Sequence, residues 1–277
     1  MIPLTRTRTP QAINVKYRGV SKTEKDKELM FAQRNYLNNP TTKISFNSAF
    51  WKSAKTRLKK DSSGKCAYCE ANTEVVAHGD VEHFRPKSIY WWLAYTFDNY
   101  LYACQICNQI YKSDNFPIGA VLIPEPNIKA DTTDAEIEQL KGNISPDPLD
   151  IGHNYKLENF INHHRAEKAF LLNPYFDDPA VFFAYTADDI TEEVKIIPTL
   201  PEFELFVKAA EEFYGINRIE LQNFRYQVFR QFRIYKHTLK DTISPDLKTE
   251  VENQILLMKS DKYLFAGMCR YFDGKIL

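Results

Sequence analysis

Two pairs of cysteines have the spacing that most clearly indicates chemistry. Cys66 and Cys69 lie in GKCAYCE, and Cys104 and Cys107 lie in YACQICN, so four of the five cysteines form C-x-x-C pairs. In a reducing compartment such pairs are typical of metal ligands or redox centres. Four thiolates close a tetrahedral structural zinc site and leave no open position for catalysis. We therefore predict a structural Zn²⁺ site here, with buried thiols at chance spacing as the alternative.

Between the two pairs, the stretch GDVEHFRPK places Glu82 next to His83. A carboxylate is a hard ligand suited to Mg²⁺, and an imidazole suits the deprotonation of water. Neighbouring strand residues point to opposite faces, so the two side chains reach one site only where the strand ends or bulges. Pro86 favours such an end. The alternative to a catalytic role, for His83 considered alone, is that it is an ordinary core or surface histidine.

The stretch NQIYKSDNFP follows the second cysteine pair and adds two polar candidates. Asn108 is placed to open a helix, either as a plain N-cap or as a neutral metal ligand. Lys112, four residues on, falls on the same helical face, where it can hold a phosphate oxygen. Asn99, in FDNYLYA, is better suited to tying loop backbone together than to binding a metal.

This segment resembles the HNH nuclease motif, which has a ββα-metal fold. The resemblance rests on an acid followed by His, a central Asn, and the pattern C-x-x-C-N-x-x-x-K. The resemblance implies that His83 is the general base and that Glu82 and Asn108 hold one catalytic Mg²⁺ or Mn²⁺. It also implies that Asn99 braces the loop and that zinc at the two cysteine pairs braces the module. Many HNH nucleases have Asp where this chain has Glu82, and the extra methylene changes where the ion would sit.

A narrower resemblance rests on CAYCE, VEHFRPK, WWLAYTFDNYLYACQICNQIYKSDNFP and LLNPYFDDPAVFFAY. These stretches are similar to the PtuB-type HNH nucleases found with Septu and retron anti-phage defence operons. The motif match covers about residues 66–118, with weaker likeness to about 186. It implies a nucleic-acid substrate, DNA or RNA, and a companion ABC-like ATPase of the PtuA type.

The expected fold is α+β and mostly helical. A zinc-braced ββα-metal HNH module at 61–120 is embedded between a helical N-terminal region, 1–60, and a mainly helical C-terminal region, 121–277. Apolar periodicity predicts helices on either side of Asn39-Pro40, a strand near 180–186 and one long helix over 211–240. The acidic stretch 124–152, rich in Pro, Asp and Asn, predicts an exposed linker or surface loop.

Composition limits the class of protein. The chain of 277 residues is 44% hydrophobic, enough for one large core or two modest ones. Lys+Arg and Asp+Glu both number 36, so any basic surface for nucleic acid must come from local segregation of charge. We find no signal-peptide pattern and no apolar run long enough for a membrane span, so we expect a soluble cytoplasmic protein.

Three further interpretations were weighed. A nucleobase deaminase needs H-x-E followed by P-C-x-x-C, which this chain lacks. A catalytically silent zinc module that binds nucleic acid or a partner protein is the second candidate function. The aromatic residues of 90–102 can stack on bases, but core packing is favoured.

The stretch 215–240 is locally basic and has one acid, Glu220. We predict that it docks the ATPase or nucleic acid, with a merely solvated face as the alternative. Its basic residues are Arg218, Arg225, Arg230, Arg233, Lys236 and Lys240.

Overall fold

The structure is a computed structural model that describes residues 1–73, 78–151, 154–241 and 244–276. In these residues the chain forms two small antiparallel sheets, β1–β2 and β3–β4. The strands are β1 (Asp80–His83), β2 (Tyr100–Ala103), β3 (Phe183–Asp188) and β4 (Glu193–Pro198). The α-helices are α1 (Gly19–Asn38), α2 (Ser48–Lys52), α3 (Lys55–Asp61), α4 (Asp134–Leu140), α5 (Leu157–Glu167), α6 (Pro179–Phe182), α7 (Glu204–Tyr214), α8 (Ile219–Thr238), α9 (Pro245–Lys259) and α10 (Ala266–Asp273). A π-helix spans Ile106–Lys112, and 3-10 helices span Val15–Tyr17, Trp91–Leu93, Phe97–Asn99 and Pro201–Phe203.

The strand β2 separates two hydrophobic cores. Every residue of β2 is buried, and alternate side chains of a strand point to opposite faces. Leu101 and Ala103 join the core that contains the cysteines and the C-terminal helices. Tyr100 and Tyr102 join the other core, which α1 and the tryptophans help to form. A mixed α+β protein with two cores follows, in agreement with the α+β prediction.

The aromatic residues of 90–102 are core residues, as predicted. Tyr90, Trp92, Phe97 and Tyr100 are all at most 2% exposed. Their rings pack edge to face or tilted against one another, which is the arrangement that aromatic quadrupoles favour. These rings are therefore closed to stacking on a nucleic acid.

The N-terminal helices differ in one respect from the prediction. α1 covers the first predicted helix, but the second one is divided into α2 and α3. Ser53 lies at the division, where its hydroxyl donates to the Phe50 carbonyl at 2.8 Å and shares a 2.7 Å hydrogen bond with the Tyr17 hydroxyl. A serine that bonds nearby backbone in this way competes with continued helix formation.

The acidic stretch 124–152 is packed onto the protein rather than forming an exposed linker, so that prediction is wrong for its described residues, 124–151. It contains α4, which begins with a capping box between Thr133 and Glu136. Ile137 is fully buried, and Lys141 pairs with Glu24 of α1 at 3.0 Å. Composition alone missed this helix because apolar anchors such as Ile137 are few among the polar residues. Gly152 lies outside the described residues.

The predicted helix over 211–240 is two helices, and the cause is Gly215. α7 ends there because Gly215 adopts a left-handed conformation with φ of +58°. A Cβ atom at this position would lie 2.5 Å from the Tyr111 ring, so the close contact also requires glycine. The predicted strand begins later than expected, since α6 occupies Pro179–Phe182 before β3.

The basic stretch 215–240 does not form the predicted continuous basic face. Arg225 is 2% exposed, and its NH2 donates to the Ile216 carbonyl at 2.6 Å. Arg233 pairs with Asp189 at 2.8 Å. Reversing the charge of Arg225 would therefore disturb the core and would not test docking. Among the described residues no helix is both long and apolar enough to cross a membrane.

Candidate functional site: a cysteine cluster and an adjoining cavity

The four paired cysteines form one cluster. Their sulfur atoms all lie within 4.8 Å of one another. Tetrahedral Zn–S bonds of about 2.3 Å place the sulfur atoms about 3.8 Å apart, so the cluster fits a zinc ion. Cys66, Cys69 and Cys107 are buried, and Cys104 is half-buried. These thiols could hold a metal such as zinc, and a set of four leaves no open position for substrate.

Backbone hydrogen bonds bring the two pairs together. Ala67, in the first pair, donates its N–H to the carbonyl of Tyr102 at 2.8 Å. Tyr102 lies on β2, and Cys104 follows the end of that strand, so the second pair is carried to the first. The N–H of Cys107 points at the Cys104 sulfur at 3.5 Å, a contact that favours a thiolate.

Arg218, in the turn before α8, is a partner of the cluster that sequence reasoning assigned to a basic face. Its NH1 lies 3.6 Å from the Cys107 sulfur and also donates to the Gly215 carbonyl at 3.1 Å. Burial opposes the charge of the guanidinium, but the neighbouring thiols outweigh it and raise the pKa of Arg218. The position therefore favours negative charge on the sulfur atoms.

A cavity of about 290 Å³ lies beside the sheet, and it brings together three of the predicted site residues. Glu82, His83 and Asn108 all line it. β1 ends at His83, as predicted, so consecutive side chains can face one space at the strand end. The remaining lining residues are Trp51, Val81, Pro86, Lys87, Gln109, Ser113 and Asp114.

His83 is held as a neutral imidazole. Its Nε2 lies 3.0 Å from the Ala94 carbonyl oxygen, and because a carbonyl only accepts, Nε2 carries the proton. Burial lowers the pKa of His83 to about 3, and the bond to Ala94 opposes that shift. The rings of Trp51 and Tyr100 meet the imidazole edge to face at 4.9 Å and 5.0 Å. Nδ1 is left as an unprotonated acceptor in a fixed ring.

Glu82 is paired with Lys112, which differs from the role expected for that lysine. The Nζ of Lys112 lies 2.6 Å from Oε1 of Glu82 and donates to the His83 carbonyl at 3.1 Å. Lys112 is fully buried, so it does not reach a phosphate as predicted. Burial raises the pKa of Glu82, and Lys112 opposes the rise. Among the described residues, Oε2 of Glu82 makes no hydrogen bond.

Asn108 and Lys112 lie on the same π-helix but have different surroundings. Asn108 is the third residue of that helix and not its N-cap, because its N–H already donates to the Cys104 carbonyl at 3.0 Å. The N–H of Ser113 donates to the Asn108 carbonyl at 2.8 Å, and a bond between residues five apart defines a π-helix. Asn108 lines the cavity, whereas Lys112 is fully buried and pairs with Glu82.

Asn99 ties the loop together through backbone contacts, as its sequence position suggested. Its Oδ1 accepts from the Arg85 N–H at 2.9 Å, and its Nδ2 donates to the Arg85 carbonyl at 3.0 Å. Asn99 is fully buried and does not line the cavity. These bonds fix the chain directly after His83.

Comparison with known proteins finds a relative that aligns with most of the chain. It is 26% identical over 286 aligned residues to the Septu protein PtuB of Bacillus mycoides (strain KBAB4). The chain resembles a Septu protein. The alignment covers 92% of this chain and 80% of that protein, so the likeness extends well beyond the cysteine and cavity motifs. No family model matches the chain, and no solved structure matches it significantly.

A buried ion pair joins the loop after the cavity strand to the C-terminal part of the chain. Arg85 follows the cavity strand, and its NH2 lies 2.6 Å from Oε2 of Glu167 on α5. The same NH2 group donates to Nδ1 of His164 at 2.9 Å, and Nε2 of His164 lies 3.1 Å from Asp177. Sequence reasoning missed Glu167 and His164, since nothing in their spacing links them to Arg85. The network anchors the site loop to the C-terminal region.

Proposed function

We propose that the protein is a divalent-metal-dependent HNH-type endonuclease and the effector of an anti-phage defence system. The observation that carries the proposal is the convergence of Glu82, His83 and Asn108 on one cavity beside the cysteine cluster. Similarity to the Septu protein PtuB supports the defence role. The substrate is then a nucleic-acid phosphodiester, and water is the nucleophile.

The donor set of the cavity fits Mg²⁺ or Mn²⁺. The carboxylate of Glu82 and the side-chain oxygen of Asn108 are hard oxygen donors of the kind these ions prefer. A bound ion would polarise the scissile phosphate and stabilise the leaving 3′ oxygen. Lys112 opposes the rise that burial causes in the pKa of Glu82, and so favours the ionised carboxylate that would serve as a ligand.

His83 supplies the base. The bond from its Nε2–H to Ala94 fixes the tautomer, so the lone pair of Nδ1 accepts a proton from the attacking water. The proton moves to Nδ1 as the water oxygen bonds to phosphorus, and the leaving oxygen departs with the electrons of the broken bond. Asn99 holds the backbone after His83 and thereby keeps the ring in place.

The cysteine cluster serves this chemistry indirectly. A zinc ion at the four sulfur atoms would join the end of β2 to the turn between α3 and β1 and would fix the start of the π-helix. Because that helix presents Asn108, the zinc site would set the distance between Asn108 and the end of β1. The metal that braces the module and the metal that takes part in hydrolysis would thus be different ions.

The defence role implies restraint of the nuclease. A nuclease that can damage its own host needs a controlling partner, and we propose an ABC-like ATPase of the PtuA type for this role. Similarity to a Septu protein supports the partner. Arg225 is buried, and Arg230 and Arg233 pair with Glu192 and Asp189, so the partner's surface is not assigned to α8.

A catalytically silent zinc module that binds nucleic acid is the competing function. A binder has no use for an immobilised neutral His83 next to hard oxygen donors, and this favours the nuclease. The test is to incubate the purified full chain, with and without the ATPase, with plasmid, single-stranded DNA and tRNA in Mg²⁺ or Mn²⁺. Cleavage that requires the ion supports the nuclease. Binding with no cleavage under all of these conditions supports the silent module.

A further inference from the structure

A second recess adjoins the proposed catalytic cavity. Its volume is about 480 Å³, within the size range of small-ligand pockets. Lys87 lines both spaces, and its Nζ lies 5.8 Å from the centre of the Trp51 ring, which lines the catalytic cavity. A polymer bound at the catalytic cavity can therefore continue past Lys87 into the second recess.

Aromatic side chains line this second recess. Tyr36 projects from α1 and is 38% exposed, and Phe46 is half-buried. Trp91 is buried, and its Nε1 donates to Oε1 of Glu125 at 2.5 Å, which fixes the indole at the recess wall. Partly exposed rings at an open recess are platforms on which nucleobases stack without strong sequence preference. The core aromatic residues of β2 lack this exposure.

The charges of the recess suit a nucleotide. Lys43 and Lys87 provide two ammonium groups for phosphate oxygens. Glu125 is exposed at the same recess, and its carboxylate can accept from the exocyclic amine of a base such as cytosine. The recess therefore offers a partner for each part of one nucleotide. The lysines can bind the phosphate, the aromatic rings can stack on the base, and Glu125 can accept a hydrogen bond from the edge of the base.

We propose that the second recess takes one unpaired nucleotide next to the scissile phosphodiester, so that the substrate is single-stranded nucleic acid. This inference rests on the proposed nuclease function and names its substrate class. A base inside a duplex is stacked and paired, and it cannot enter a recess without leaving the helix. Duplexes are therefore disfavoured unless they carry unpaired nucleotides.

Binding to labelled oligonucleotides tests the subsite separately from catalysis. The full-chain His83→Ala variant, without added Mg²⁺ or Mn²⁺, is titrated into DNA and RNA single strands of about 12 nucleotides and into the matching blunt duplex, with fluorescence anisotropy as the readout. We expect at least one single strand to bind about tenfold more tightly than the duplex, and the better of the two identifies the sugar. Equal or tighter binding of the duplex overturns the proposal.

Variants of the recess locate the effect. Tyr36→Ala and Lys43→Ala should each weaken single-strand binding about fivefold to tenfold, because each removes one stacking or phosphate contact. Tyr36→Phe keeps the ring and should bind like the parent, as should Lys208→Ala at an exposed lysine of α7. Unchanged affinity in both Tyr36→Ala and Lys43→Ala overturns the subsite.

The subsite and the nuclease function fail in different ways. If the wild-type chain cleaves in Mg²⁺ or Mn²⁺ but the recess variants neither bind more weakly nor cleave more slowly, the subsite is wrong and the nuclease stands. If single strands bind through the recess and the wild-type chain, with its ATPase present, cleaves nothing, the nuclease function is wrong.

The role of the Glu125 carboxylate is tested by comparing the affinities for oligo-dC and oligo-dT. Tighter binding of oligo-dC, with a smaller difference between the two affinities in Glu125→Gln, would support that role. Equal binding of the two oligonucleotides by the parent protein would contradict it.

Discussion

The cysteine cluster and the proposed catalytic cavity adjoin the same small sheet and are built differently. Cys104 follows β2 at Ala103, whereas His83 pairs with Tyr100 at the other end. The cluster takes four ligands of one type from two short sequence motifs. The cavity takes different groups from a strand end and a π-helix, and their partners Ala94 and Lys112 lie in other segments of the same module. The ligands of the cage are therefore visible in the sequence, whereas the partners of His83 and Glu82 are visible only in the structure.

Both regions hold an anionic group against a cation, but the cations come from different places. Arg218 reaches the cluster from the turn before α8, far along the chain. Lys112 reaches Glu82 from the π-helix that also carries Asn108. The cluster is therefore coupled to the C-terminal helices, whereas the cavity is stabilised from within its own module.

Removing one thiol should have the largest effect. Cys104→Ser is expected to lose zinc and to unfold the region around β1 and β2, because structural zinc contributes on the order of 10 kcal/mol of apparent binding free energy that is also folding free energy. Zinc content by elemental analysis and thermal unfolding by circular dichroism measure the two losses. A folded, zinc-free Cys104→Ser protein would refute the zinc cage.

Removing the cation of the cavity should have a smaller effect that depends on pH. Lys112→Met leaves Glu82 buried without its partner, which costs about 3–5 kcal/mol of unfolding free energy. Burial already raises the pKa of Glu82, and without Lys112 the pKa rises further. A carboxyl whose pKa is higher in the folded than in the unfolded protein binds more protons in the folded state. The free energy of unfolding therefore falls as the pH rises from about 4.3, the unfolded pKa, through the folded pKa.

Urea unfolding at about pH 5 and about pH 8 therefore tests the pair, with a larger loss expected at the higher pH. Mn²⁺ should restore more stability to Lys112→Met than to the wild type, because a bound cation replaces the missing one. Lys208→Met, at an exposed lysine, is the matched control. A loss that does not change with pH would contradict the account of Glu82.

Arg218→Gln sharpens the comparison at the cluster. Loss of a charged group that supports metal ligands typically lowers metal affinity about 10- to 100-fold. We therefore expect faster zinc release to a coloured chelator, with helical content retained. Arg230→Gln, at an exposed arginine of α8, is the control. Equal release rates in Arg218→Gln and the wild type would mean that the contact with Cys107 is incidental.

Sequence predicted the local parts of this protein better than the long-range ones. The cysteine cluster and the strand end at His83 follow from short motifs. The Lys112–Glu82 pair was not predicted, because the spacing of Asn108 and Lys112 does not show that the lysine is buried against Glu82. Gly215 broke a predicted helix because apolar periodicity continues across a residue whose backbone turns. Arg85–Glu167 was missed because the two residues are far apart in the chain.

The most direct test of the central claim is metal-dependent cleavage by His83→Ala. General-base catalysis typically contributes about 10²–10⁴-fold, so the variant should lose that factor in rate with Mg²⁺ or Mn²⁺ while keeping its zinc and a cooperative unfolding transition. His237→Ala, at an exposed histidine of α8, should cleave like the wild type. Cleavage by His83→Ala at the wild-type rate would contradict the assignment of the cavity as the site of phosphodiester hydrolysis.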